Sequence, residues 1–170
     1  DKLTLSCIME IDENGKVVNS EIAETVINSK ARMTYTEVSD ILEKDDEKLK
    51  QTFAKQVEDF KNAEKLARIL MKRRERRGAI DFDFPEAKII LNREGKVVDI
   101  KCYERRISNK MIEEFMLVAN ETVAEHFYWL QLPFVYRIHE TPSAEKMEDL
   151  NKFIATFGYH IKGDLEDVHP

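Results

Sequence analysis

Cysteine, proline and glycine are all scarce in this chain, at 2, 4 and 5 of its 170 residues. Cys7 and Cys102 lie far apart and lack metal-type spacing, so the sequence predicts reduced, buried thiols. No apolar run approaches the ~20 residues needed to span a bilayer, and no signal or transit segment is visible. A cytoplasmic chain without membrane association is the expectation. An excess of positive charge is missing too: the formal net charge of -6 argues against a surface that is a phosphate trap throughout. His126, His139, His160 and His169 are scattered, with neither HExxH nor paired-ligand spacing. Without a Ser-His-Asp constellation, a phosphate-binding glycine loop or a dinucleotide fingerprint, no small-molecule cofactor is expected. Internal repeats and low-complexity segments are also absent.

What remains is ordinary soluble composition, 42% hydrophobic and 35% charged, enough for one domain with a core. Leu3, Leu5, Cys7, Met9 and Ile11 alternate with mostly polar residues, Asp12-Glu13-Asn14-Gly15 interrupts, and a strand-like pattern resumes to Ile27. This reads as a hairpin turned at Asn14-Gly15, where both residues tolerate positive φ. Thr34 or Thr36 caps a short helix with Val38, Ile41 and Leu42 facing inward. From about Asp46 to Arg77 the spacing predicts one long helix, striped by Leu49, Phe53, Val57, Phe60, Ala63, Ala67 and Leu70 and ended by Gly78. An extended stretch over residues 79–84 leads to Pro85, which restricts the residue before it. A second hairpin flanks Asn92-Arg93-Glu94-Gly95. Pro133 ends any helix before it, residues 134–138 read as a buried strand, and Pro142-Ser143 opens a last helix. In that helix Met147, Leu150, Ile154 and Phe157 face the core, and Gly158 closes it. The inventory argues for an α+β domain, its sheet packed with helices.

Residues 105–127, RRISNKMIEEFMLVANETVAEHF, form the predicted central helix. Ser108 is the expected N-cap, and Ile112, Phe115, Met116, Ala119 and Val123 the expected apolar stripe. Neighbours on a helix point about 100° apart, so of Glu113 and Glu114 at least one lies near the edge of the buried face. On pattern alone they read as a solvated pair of first-turn acids. The basic run KRRERR over residues 72–77, with Arg105 and Arg106, reads either as a solvated complement to helix dipoles or as a phosphate-facing patch.

Three segments resemble the ribonuclease II and ribonuclease R family, in that family's order. Residues 106–120 resemble the catalytic-domain helix written IEE-x-M-x-x-AN, while residues 29–38, SKARMTYTEV, and 76–85, RRGAIDFDFP, look like two further family segments. The wording RGAIDFD leans towards ribonuclease R. The resemblance runs over essentially the whole chain and implies an RNB catalytic domain: a mixed sheet surrounded by helices, with a channel leading single-stranded RNA to a buried metal site. The intact parent it implies is a magnesium-dependent, processive 3′-to-5′ exoribonuclease. In the family, the metal-binding aspartates precede the DRL-type stretch that Asp1-Lys2-Leu3 resembles, and the catalytic arginine lies beyond this chain's end. The expectation is therefore the middle of that domain, truncated at both ends. It carries no metal ligands and no catalytic residue, and does not hydrolyse RNA alone.

By the same resemblance Phe82 stacks on a base near the RNA 3′ end; a core aromatic is the competing reading. Tyr35 stacks near the channel end and sets the length of the final product, against a tyrosine merely packed at a helix start. Glu113 contacts the 3′-terminal nucleotides. Arg32 and Arg106 are weaker candidates for phosphate contacts, and Asn109, where relatives differ, carries no role. Asp81 and Asp83 share one face of an extended stretch, but two carboxylates fall short of a magnesium site, and a solvated strand edge is the plainer reading. An interaction module that binds a protein partner through the long helix and its basic end is the alternative on composition.

Overall fold

The computed structural model describes residues 1–82, 86–138 and 140–161. Asp83, Phe84, Pro85, His139 and the tail from residue 162, which includes His169 and Pro170, lie outside the described residues. Two compact units, Asp1–Leu132 and Pro133–Pro170, divide the chain.

The first unit opens with strands β1 (Lys2–Ile11) and β2 (Val17–Ile27), paired antiparallel with a register shift at Glu10/Ile11. The turn is made by Asp12, whose carboxylate accepts the amides of Asn14 at 2.9 Å and Lys16 at 2.8 Å. Gly15 alone takes the left-handed conformation, at φ 83°, while Asn14 stays at negative φ. This is a longer loop ending in a glycine bulge, and Asp12 rather than Asn14 organises it. The hairpin of β3 (Glu86–Leu91) and β4 (Val97–Tyr103) repeats the device. There Asn92 accepts the amides of Glu94 and Lys96, and Gly95 has φ 80°. Cys7 is half-buried and Cys102 exposed, so the expectation of two buried thiols is corrected. Leu3 and Leu5 are exposed as well, leaving only the turn end of the first hairpin against the helices. Here a Cβ on Gly15 would lie 3.3 Å from the Arg73 side chain.

Helix α1 (Tyr35–Glu43) starts at Thr34 in a capping box with Glu37. The long helix expected from Asp46 to Arg77 is two helices, α2 (Glu47–Thr52) and α3 (Val57–Arg76). The break follows Thr52, whose hydroxyl bonds back to the Lys48 carbonyl at 2.8 Å, a contact that bends helices. Phe53 then departs from helical angles, at φ -111° and ψ 32°. Gly78 ends α3 in a Schellman motif: the Gly78 amide donates to the Glu75 carbonyl and the Ala79 amide to that of Arg74.

Helix α4 (Ile107–Trp129) is capped two residues earlier than expected. Arg106 is the N-cap residue, its amide donating to the Asn109 side chain, while Ser108 sits inside the helix, buried. The stripe is also rotated from the predicted one. Ile107, Met111, Glu114, Val118 and Thr122 are buried, whereas Ile112 and Met116 are exposed. Three of the residues that turn inward or begin this stripe are polar, and each is accommodated by a partner on another element or its own backbone, which a count of apolar residues does not register. Ala67, fully buried, packs on Ile107 and Met111 and lets α3 approach α4 closely. The core of this unit is therefore α1, α3 and α4, completed by Val38, Ile41 and Leu70.

In the second unit, residues 134–138 are irregular and exposed, Val135 at 92%, rather than a buried strand. Among the described residues the two sheets contain only β1 with β2 and β3 with β4. Helix α5 (Ala144–Ala155) is capped by Ser143 as expected, with Met147 buried but Leu150 and Phe157 exposed. No described helix is long and apolar enough to cross a membrane.

Candidate nucleic-acid interface

The charged residues at the end of α3 and the start of α4 are tied to one another. Arg74 donates from Nε to Glu114 Oε1 at 2.9 Å, with Nη2 at 2.8 Å from the same oxygen. The Glu114 side chain is only 4% exposed and that of Arg74 19%. Arg105 donates from Nη1 to Asp81 Oδ1 at 2.8 Å, and from Nε and Nη2 to Glu113 Oε2 at 3.1 and 2.6 Å. Asp81 also lies 3.9 Å from Arg74, so two guanidiniums and three carboxylates form one chain: Glu114, Arg74, Asp81, Arg105, Glu113. The Arg105 hydrogen bond holds the Asp81 carboxyl below the usual aspartate range against the opposing effect of burial. Asp81, and then Glu113, raise Arg105 in return. One turn further along, Arg77 pairs with Glu121 at 2.7 Å. The solvated reading is thus corrected for Glu114 and Arg74, while Glu113, Asp81 and Arg77 are ion-paired and still 40 to 50% exposed.

A second junction pins α1 to α4. Arg106 lies 2.7 Å from Asp40 and donates to Glu43 at 2.8 Å, and Glu43 also accepts the Ile107 amide at 3.0 Å. Lys44 first, and Arg106 second, keep the Asp40 carboxyl below its ordinary value. Beneath them the Ser39 and Ser108 hydroxyls are 2.7 Å apart, and Ser108 donates to the Tyr35 carbonyl at 2.8 Å. The Tyr35 end of α1 is therefore fastened to the first turn of α4, and the segment before Phe82 to Arg105, just ahead of that helix, which also holds Glu113.

The five residues named from the sequence fall as follows. Tyr35 and Phe82 are exposed, at 47% and 63%. Glu113 has Oε2 engaged by Arg105. Arg106 is committed to Asp40 and Glu43, and Arg32 is exposed on the connection between β2 and α1. Sequence reasoning missed Arg74, Arg105, Ser39 and Ser108 as the residues that hold the site. Their partners lie 40, 24, 69 and 73 positions away for the contacts to Glu114, Asp81, Ser108 and Tyr35, far outside any helical spacing. A separate cleft of about 590 Å³ lies between β2 and the second half of α4, lined by Lys16, Arg73, Glu121, Glu125, His126 and Trp129 among others. None of the five named residues lines it.

Among the described residues, no three His, Cys, Asp or Glu side chains are grouped to hold a metal ion. The carboxylates that do cluster face guanidiniums, which is the wrong neighbourhood for a divalent cation's oxygen shell.

The chain belongs to the RNB domain family, whose model matches residues 1–169. Over 168 residues it is 46% identical to Ribonuclease R 1 of Lactococcus lactis subsp. lactis (strain IL1403), covering 99% of this chain and 20% of that protein. It is 43% identical over 175 residues to Ribonuclease R of Thermotoga maritima, covering 100% of this chain and 24% of that one. In fold it is similar to Mycoplasma genitalium RNase R in complex with ribose methylated single-stranded RNA. The TM-score is 0.85 at 24% identity, over 98% of this chain and 26% of that one. The chain thus spans a fifth to a quarter of the curated relatives it matches.

Proposed function

We propose that this chain forms part of the RNA-channel wall of a processive 3′-to-5′ exoribonuclease. The intact protein, on this reading cytoplasmic, hydrolyses single-stranded RNA to nucleoside 5′-monophosphates with magnesium. The observation that carries the reading is the family match along nearly the whole chain. The likeness to a ribonuclease R solved with single-stranded RNA supports the same partner.

Within that reading Phe82 offers an exposed ring to a base, a stack worth ~1 to 3 kcal/mol and indifferent to sequence, as stepwise degradation requires. Glu113 keeps Oε1 clear of the Arg105 contact, and that oxygen accepts a ribose hydroxyl. Tyr35 provides a second exposed ring that sets product length. Of the two phosphate candidates Arg32 is the better, because the Arg106 guanidinium already serves Asp40 and Glu43. Two-metal hydrolysis needs carboxylates converging on ions ~3.5 to 4 Å apart, which the arginine-paired acids here do not supply. No hydrolytic step is assigned to this chain, and the 170-residue chain alone is expected to leave poly(A) intact in magnesium.

In the intact protein, Phe82→Ala weakens single-stranded RNA binding roughly five- to a hundredfold, and Tyr35→Ala changes the length of the final product without abolishing turnover. Unchanged affinity in the first variant, or degradation of poly(A) by the chain alone, refutes the assignment. Against the interaction-module alternative stand Ala67 and Leu70 of α3, buried in this chain's own core, and Arg74, which turns to α4.

A further inference from the structure

We infer that Arg105 is a positioning residue that sets the Phe82 ring and the Glu113 carboxylate together; the inference rests on the channel-wall reading above. Residues 79–82 belong to no helix or strand. Asp81 supplies a tether, donating nothing and accepting from Arg105 at 2.8 Å, with Arg74 3.9 Å away. Where the backbone is not helical, neighbouring side chains point apart. The tether holds the residue next to Phe82, whose own ring is 63% exposed.

The same guanidinium uses its other edge, Nε and Nη2, on one oxygen of Glu113. It binds two carboxylates from two segments 32 residues apart, Asp81 before the second hairpin and Glu113 after it. A planar fork does this and a point charge does not. With three of its N–H groups so engaged and its side chain 20% exposed, Arg105 is built as a clamp and not as a free phosphate ligand.

The test uses the intact protein and a single-stranded oligoribonucleotide, with Arg105→Gln, Arg105→Lys, Asp81→Asn, Phe82→Ala and the double variant of Arg105→Gln with Phe82→Ala. Arg105→Gln raises KM for RNA roughly three- to tenfold, the order expected when a contact must be ordered on binding, while kcat changes little. Asp81→Asn gives the same KM effect, guarding against a trivial folding defect at Arg105. Arg105→Lys restores less than half of it. Amide exchange over residues 79–82 accelerates in both the Gln and Asn variants. In the double variant KM exceeds that of Phe82→Ala by clearly less than the Arg105→Gln factor, because the part of the effect that passes through Phe82 is already lost. Full additivity shows that Arg105 does not act through Phe82 and overturns the inference. An unchanged KM in both Arg105→Gln and Asp81→Asn, beside a raised KM in Phe82→Ala, overturns it while leaving the channel reading intact. No effect of Phe82→Ala overturns the channel reading and the inference with it.

Discussion

The Arg74 and Glu114 pair allows a prediction with an internal asymmetry. Both charges are withdrawn from solvent, but unequally: the Glu114 side chain is 4% exposed and that of Arg74 19%. Removing one partner of a buried pair typically costs about 3 to 5 kcal/mol, because the other charge stays buried without compensation. Arg74→Ala strands the deeper group, since the next arginine along α3, Arg77, is already paired with Glu121. That variant falls within the full range. Glu114→Ala strands Arg74, which has more solvent and Asp81 at 3.9 Å, so its loss is nearer 2 kcal/mol, an order-of-magnitude figure. With a urea dependence of about 2 kcal/mol per molar, the midpoints drop by roughly 2 M and 1 M respectively. Replacing both at once, Arg74→Met with Glu114→Leu, recovers most of the loss, because no charge is then left buried. Urea unfolding followed by circular dichroism measures all three. Equal losses below about 1 kcal/mol, the behaviour of an exposed ion pair, refute the reasoning, as does a larger loss for Glu114→Ala.

Three further outcomes follow from the same geometry. Asp81 and Asp40 are held below their ordinary values, so their pairing stabilises the fold above the unfolded aspartate value of ~3.9 and is lost as pH falls through the lowered folded values. Urea midpoints measured from pH 6 downward fall with acid, and Arg105→Gln flattens that fall; an unaltered slope contradicts it. Gly15→Ala destabilises more than Gly78→Ala in thermal melts. Both glycines are left-handed, a strain of about 1 kcal/mol for alanine, but only at Gly15 does a Cβ also meet Arg73, at 3.3 Å. Thr34→Ala loses the capping box of α1, about 1 kcal/mol by chemical denaturation, and Thr36→Ala loses nothing comparable.

Much of the fold was legible because it depends on neighbours in sequence. The two hairpins, the stop at Gly78 and the cap at Ser143 each close within about six residues and were readable from residue types alone, while for α1 the sequence left Thr34 and Thr36 open and the structure takes Thr34. Two misreadings were local as well. Asn14 looked like the turn residue because Asp12's backbone contacts cannot be seen in a pattern, and Thr52 hid a helix break behind an unbroken stripe. The candidate residues Tyr35, Phe82 and Glu113 came from wording shared with a family, and their exposure and anchoring came only from the coordinates.

By itself, then, the amino-acid sequence determined where the hairpins fall, the stop of α3 and the cap of α5, since those energies are settled by contacts between residues a few positions apart. Tertiary structure alone decided which face of α4 is buried, which arginine neutralises which carboxylate, and that residues 134–138 pair with no described strand. Those outcomes turn on groups 24 to 73 residues apart, where a charge is admitted to the interior only if its partner arrives from another element.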